Sequence, residues 1–153
     1  MNNTTPAAPA GSTNVTWQED VSGNVSASLP VAGLITASSI DLTAQAANIA
    51  GTNLVAAPTA GCYRISAYIA VTSAGGSSST LPSVVITWSD QQSGQAMSLT
   101  LTPTNTGNAL TTMQDAVGLI SANTSAIQYS TTGYVSAGVP TMQYTLHLRI
   151  ESL

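Results

Sequence analysis

Ala60-Gly61-Cys62-Tyr63-Arg64-Ile65-Ser66-Ala67-Tyr68-Ile69-Ala70-Val71-Thr72-Ser73-Ala74 is the stretch on which the reading of the fold turns. Between Gly61 and the Gly75-Gly76 pair its apolar residues recur at every second position. Tyr63, Ile65, Ala67, Ile69 and Val71 share one face, and Cys62, Arg64, Ser66, Tyr68 and Ala70 share the other. A period of two is a strand, and a strand buried on one side and partly covered on the other belongs in the middle of a sheet.

The same period returns outward in both directions. Near the C-terminal end Met142, Tyr144, Leu146, Leu148 and Ile150 alternate with Thr145, His147, Arg149 and Glu151. Val84, Ile86 and Trp88 line one side of a third strand, Ser89 to Gly94 reads as a hairpin, and Met97, Leu99 and Leu101 line a half-buried strand ended by Pro103. Further strands are read at Asn53 to Ala57, Leu110 to Ile120, and from Ile127 and Tyr129 to the bend at Thr132-Gly133. A short one is expected around Trp17. Gly75-Gly76-Ser77-Ser78-Ser79 reads as a flexible loop tip, and Asp41 to Ile49 is the one place where a helical turn is arguable. Seven to nine such strands make an antiparallel two-sheet β-sandwich, a jelly roll or an immunoglobulin-like fold, and the cysteine-tryptophan-cysteine signature of the latter is missing.

Composition narrows the function. The 153 residues suffice for one sandwich domain at 14–153, preceded by an arm at 1–13 whose Pro, Ala, Asn and Thr show no periodicity. Only 5% of residues are charged, against roughly 25% in ordinary soluble proteins. There is no Lys, and Arg64 and Arg149 are the only fixed cations, so no phosphate-tracking stripe can be assembled and nucleic acid is not an expected partner. No run approaches the length of a membrane span, and Met1 to Ser12 lacks the basic and apolar regions of a secretory signal. The expectation is a soluble chain made in the cytoplasm.

Catalytic chemistry finds little support. His147 is the only histidine, no Gly-x-Ser-x-Gly elbow occurs, and the acids Glu19, Asp20, Asp41, Asp90 and Asp115 are scattered singly. Cys62, the only cysteine, reads as a small buried strand residue in preference to the thiol partner of His147. No metal or cofactor set is visible, and no enzyme is expected. His147, Arg149 and Glu151 do place three of the nine Asp, Glu, Arg and His side chains on one strip. They read either as edge charges that blunt aggregation or as a strip in which Arg149 pairs with Glu151 or an Asp across a contact between subunits.

Pro58-Thr59-Ala60-Gly61-Cys62-Tyr63-Arg64-Ile65-Ser66-Ala67-Tyr68, Ile40-Asp41-Leu42-Thr43-Ala44-Gln45 and Tyr144-Thr145-Leu146-His147-Leu148-Arg149 together resemble the trimeric jelly-roll domains of the C1q and tumour necrosis factor type, over about Thr36 to Leu153. They look most like the small Ser/Thr-rich versions encoded beside capsid genes of tailed bacteriophages. The resemblance implies an all-β jelly-roll sandwich that forms a homotrimer. It further implies a virion protein on the capsid exterior, a decoration protein whose partner is the major capsid protein of the head, with a tail-fibre or receptor-binding tip as the alternative. The contact candidates are Trp17, Arg64, Tyr68, His147, Arg149 and Glu151.

Overall fold

The computed structural model describes residues 16–19, 25–28 and 35–153, with side chains from residue 38 onward. The chain divides into two compact units, Met1–Gly33 and Leu34–Leu153. In the first, β1 (Thr16–Glu19) pairs antiparallel with β2 (Val25–Ser28). The expected strand at Trp17 is therefore present, whereas the arm at 1–13 lies outside the described residues. The unit boundary falls within the stretch read as the start of the sandwich.

The second unit is all β. Its strands are β3 (Ile35–Gln45), β4 (Thr52–Val55), β5 (Gly61–Ser73), β6 (Thr80–Leu81), β7 (Ser83–Ser89), β8 (Ala96–Thr100), β9 (Asn105–Thr106), β10 (Met113–Ala122), β11 (Ile127–Thr132) and β12 (Gln143–Ser152). Setting aside the two-residue pair β6 and β9, the pairing is nested: β3 with β12, β4 with β11, β5 with β10, and β7 with β8, all antiparallel. A long antiparallel ribbon paired in this way buries its apolar face by rolling up. Lateral pairing of β5 with β12 and of β7 with β11 then gives two four-stranded sheets, ordered β10-β5-β12-β3 and β4-β11-β7-β8. That is a jelly roll.

The alternation read in β5 is what the structure buries. Tyr63, Ile65, Ala67, Ile69 and Val71 face the core, opposite Val84 and Ile86 of the other sheet, and Tyr144, Leu146, Leu148 and Ile150 of β12 join them. β5 lies between β10 and β12, so it is central, as its two-sided pattern predicts. Trp88, half-buried at the end of β7, donates its Nε1–H to the Ser121 carbonyl of β10 at 3.0 Å and so ties one sheet to the other. Gly118 of β10 is required where it stands. A Cβ there would come within 2.6 Å of a Leu99 methyl, because Leu99 and Leu101 close the sandwich over that position.

Two expectations are corrected. Asp41 to Gln45 extend β3, and no helix occurs among the described residues. The local propensity is overridden because Leu42 and Ile40 complete the core from the sheet edge. Gly75 to Ser79 is no free tip: Gly75 N–H donates to the Gly107 carbonyl, Gly107 N–H donates to that of Ser79, and Ser79 is buried. A Cβ on Gly76 would lie 2.4 Å from the Ala137 carbonyl oxygen, so the glycines permit close packing.

One buried polar chain fastens the β3–β4 connection. The Thr131 hydroxyl accepts from Ile49 N–H at 2.7 Å and meets Tyr144 Oη at 3.1 Å, while the Tyr144 hydroxyl donates to the Ala47 carbonyl at 2.8 Å. Burial pushes the Tyr144 phenol above its ordinary pKa. Tyr144→Phe removes one member and leaves Thr131 without its acceptor, so it should cost about 1–3 kcal/mol, read as a lower midpoint in urea at unchanged m-value.

At the β7–β8 hairpin the Asp90 carboxylate accepts from Ser93 N–H, Ser93 Oγ–H and Gln92 N–H. These bonds, those of Ser93 foremost, hold its pKa below the usual carboxylate value. A depressed value means that the turn is supported at neutral pH and loses that support as pH falls through the acid range.

Candidate functional site

The outward side of the β10-β5-β12-β3 sheet collects nearly all the charge of the sandwich. Of the seven Asp, Glu, Arg and His side chains in residues 38–153, six lie on this face, and only Asp90 lies elsewhere. They are aligned by strand register. Asp41, His147, Tyr68 and Asp115 form one row from β3 across β12 and β5 to β10. Ser39, Arg149, Ser66 and Val117 form the next, and Glu151, Arg64 and Leu119 continue into a third. Opposite charges therefore stand at directly paired positions, where cross-strand attraction is strongest.

Side-chain contacts follow the rows. Arg64 donates from Nε and Nη2 to Glu151 Oε2 at 2.9 and 2.6 Å, and Arg149 Nε lies 3.7 Å from Glu151 Oε1. Glu151 is thus shared by both arginines of the chain. His147 Nδ1 stands 2.5 Å from Asp41 Oδ1, its Nε2 stands 3.1 Å from Thr145 Oγ1, and its ring centroid is 5.9 Å from that of Tyr68. Around the first two rows the face dips into a shallow concavity of about 550 Å³.

A carboxylate, an imidazole and a hydroxyl in sequence suggest a proton relay, but the geometry opposes one. Thr145 Oγ–H donates to the Leu42 carbonyl at 2.8 Å, and the residue is buried, so its proton is directed into the sheet and away from the imidazole. An activated nucleophile needs the reverse arrangement. Among the described residues no group of three or more His, Cys, Asp or Glu is placed to hold a metal ion, and no helix is long and apolar enough to cross a membrane.

The apolar part of the face is β10. Met113, Val117 and Leu119 point outward and are 44%, 64% and 68% exposed, with Tyr68 beside them. β10 is also an edge strand of ten residues, with neither proline nor lysine and with Asp115 as its only charge. Long apolar edges of this kind are open to association.

Five of the six contact candidates, Arg64, Tyr68, His147, Arg149 and Glu151, come together on this one face. Trp17 lies in β1, and its side chain is outside the described residues. Three details differ from expectation. β12 is interior to the sheet, so its charges are not edge charges; they are met by Asp41 on one side and Arg64 on the other. Cys62 is exposed, because it belongs to the outward register of β5. Asp41 and Asp115, which look isolated in the sequence, are members of the His147 row.

No family model matches the chain, and no curated protein matches it. Solved structures that match include the N-terminal endo-1,4-beta-D-xylanase 10B of Clostridium thermocellum, its CBM22-1 and GH10 modules complexed with xylohexaose, at 13% identity and a TM-score of 0.41. The match covers 92% of this chain but only 24% of the xylanase chain. A carbohydrate binding module from Cellvibrio mixtus lichenase 5A, in complex with cellotriose, matches at 15% identity and a TM-score of 0.31, covering 94% of this chain and 88% of that one.

Proposed function

We propose that the protein is a structural component of a bacteriophage particle: a homotrimer that decorates the outside of the head and stabilises the coat lattice by binding the major capsid protein. The observation that carries the reading is the outward face of the β10-β5-β12-β3 sheet. It joins an exposed apolar column on an unprotected edge to a nearly charge-balanced polar field, and copies that pack around a closed axis cover both. The occupant of the face is a second copy of the chain. Around a three-fold axis each copy sets its β10 edge against a different part of its neighbour's face, where the acids Asp41, Asp115 and Glu151 find complements in His147, Arg64 and Arg149. The phage setting comes from the resemblance of the Pro58–Tyr68, Ile40–Gln45 and Tyr144–Arg149 segments to auxiliary capsid jelly rolls.

A receptor-binding tip is the second reading, favoured by the exposed hairpin end at Gln91 to Gly94. Copy number separates the two: densitometry of purified particles should find hundreds of copies for a decoration protein and a handful for a tip. Purified trimer should also bind undecorated heads. Failure to bind them, with few copies per particle, would refute the decoration reading.

A further inference from the structure

We propose that association of copies through this face is linked to protonation of His147, each copy taking up at most one proton as the face is covered. The inference rests on the trimer reading above and adds to it a control by pH.

The Thr145 hydroxyl proton is given to the Leu42 carbonyl, so Thr145 Oγ1 faces His147 Nε2 as an acceptor at 3.1 Å. Asp41 Oδ1, on a carboxylate with no proton to give, faces Nδ1 at 2.5 Å. Both ring nitrogens thus meet acceptors, and only the imidazolium donates to both. A neutral ring has one N–H. Kept at Nδ1, it leaves the Nε2 lone pair against the Thr145 oxygen unless that hydroxyl turns away from Leu42; kept at Nε2, it sets a nitrogen lone pair against the Asp41 carboxylate.

Charge balance on the face carries the step to assembly. The groups around His147 are Asp41 from β3, Tyr68 and Arg64 from β5, Asp115 from β10, and Arg149 and Glu151 on β12 itself. With the imidazolium the face holds three cations and three anions; with the neutral ring it holds two and three. Asp41 is the anion that then loses its countercharge, keeping at most a neutral N–H donor from Nδ1. While the face is open, water screens that excess, since the Asp41 side chain is 70% exposed and that of His147 is 43% exposed. A second copy removes the water, and a carboxylate without a countercharge is costly to cover. Covering the face therefore favours the protonated ring.

A state that binds more protons is stabilised as pH falls, so association should be tight at mildly acidic pH and weaken as pH rises through the range where imidazoles lose their proton. One proton per copy means up to tenfold per pH unit per copy, or up to about a thousandfold in the trimerisation constant.

Sedimentation of the full chain over a dilution series at about pH 5.5 and about pH 8 measures this directly, with His147→Gln and Asp41→Asn alongside and circular dichroism to confirm folding. Because the chain has a single histidine, the imidazole 15N spectrum reports its protonation without ambiguity. The expected result has four parts: wild-type association weakens at least tenfold at the higher pH, the ring is doubly protonated in the trimer, His147→Gln shows no such dependence, and Asp41→Asn shows less than wild type. A wild-type trimer equally tight at both pH values, or a dependence that persists in His147→Gln, overturns the linkage and leaves the trimer reading standing. A chain that is monomeric at every pH and concentration overturns both.

Discussion

Val117→Asp combined with Leu119→Asp should convert the proposed trimer to monomer without disturbing the sandwich. Both residues point outward from β10, each more than 60% exposed, and neither contributes to the core formed by Ile65, Leu146 and their neighbours. Surface changes of this kind shift the stability of an isolated fold by roughly 0.5 kcal/mol or less. At an interface the same positions would carry much of the apolar contact, and losing such a centre typically costs about 2 kcal/mol or more per residue. The substitutions also add two negative charges per copy to a face already holding Asp41, Asp115 and Glu151, so like charges would be brought together three times around the axis. Light scattering should show one chain per particle, with a far-ultraviolet spectrum unchanged from wild type.

Leu146→Ala should do the opposite and cost the fold itself. Leu146 is fully buried in β12, between Ile69 of β5 and Leu42 of β3, on the inward register. Truncating a leucine so enclosed costs about 2–5 kcal/mol, because the strands on both sides are hydrogen-bonded in place and cannot collapse into the space. Against a total stability of about 5–15 kcal/mol for a domain, that is enough to leave a substantial unfolded fraction near physiological temperature. Chemical denaturation should show the midpoint falling by that amount, and assembly should fail only in proportion to the loss of folded chain.

The contrast between these two variants marks what the amino-acid sequence discloses. β5 and β12 are legible because each alternates apolar with polar or charged residues, so their faces separate without reference to anything else. β10 is legible as a strand but not as to its faces. Ala116, Gly118, Ile120 and Ala122 on one side and Met113, Val117 and Leu119 on the other are both apolar, and only register with β5 decides which side is outward. The charged rows are hidden for a related reason. His147 and Asp41 are 106 residues apart, and Arg64 and Glu151 are 87 apart, so their meeting is fixed by the nested pairing of the ribbon and by no local pattern. The Gly75-Gly76 segment misleads because serine and glycine signal a loop whether it is free or tightly packed; Gly107 and Ala137, which hold it, lie far along the chain.

The molecular mass of the purified full chain in solution decides whether copies associate through the β10-β5-β12-β3 face. Light scattering over a dilution series at mildly acidic pH should return three times the 15.4 kDa of one chain, falling to a single chain for the Val117→Asp, Leu119→Asp variant. A mass of 15.4 kDa for the wild type at every concentration, or a trimer that survives both aspartates undiminished, would contradict association through this face.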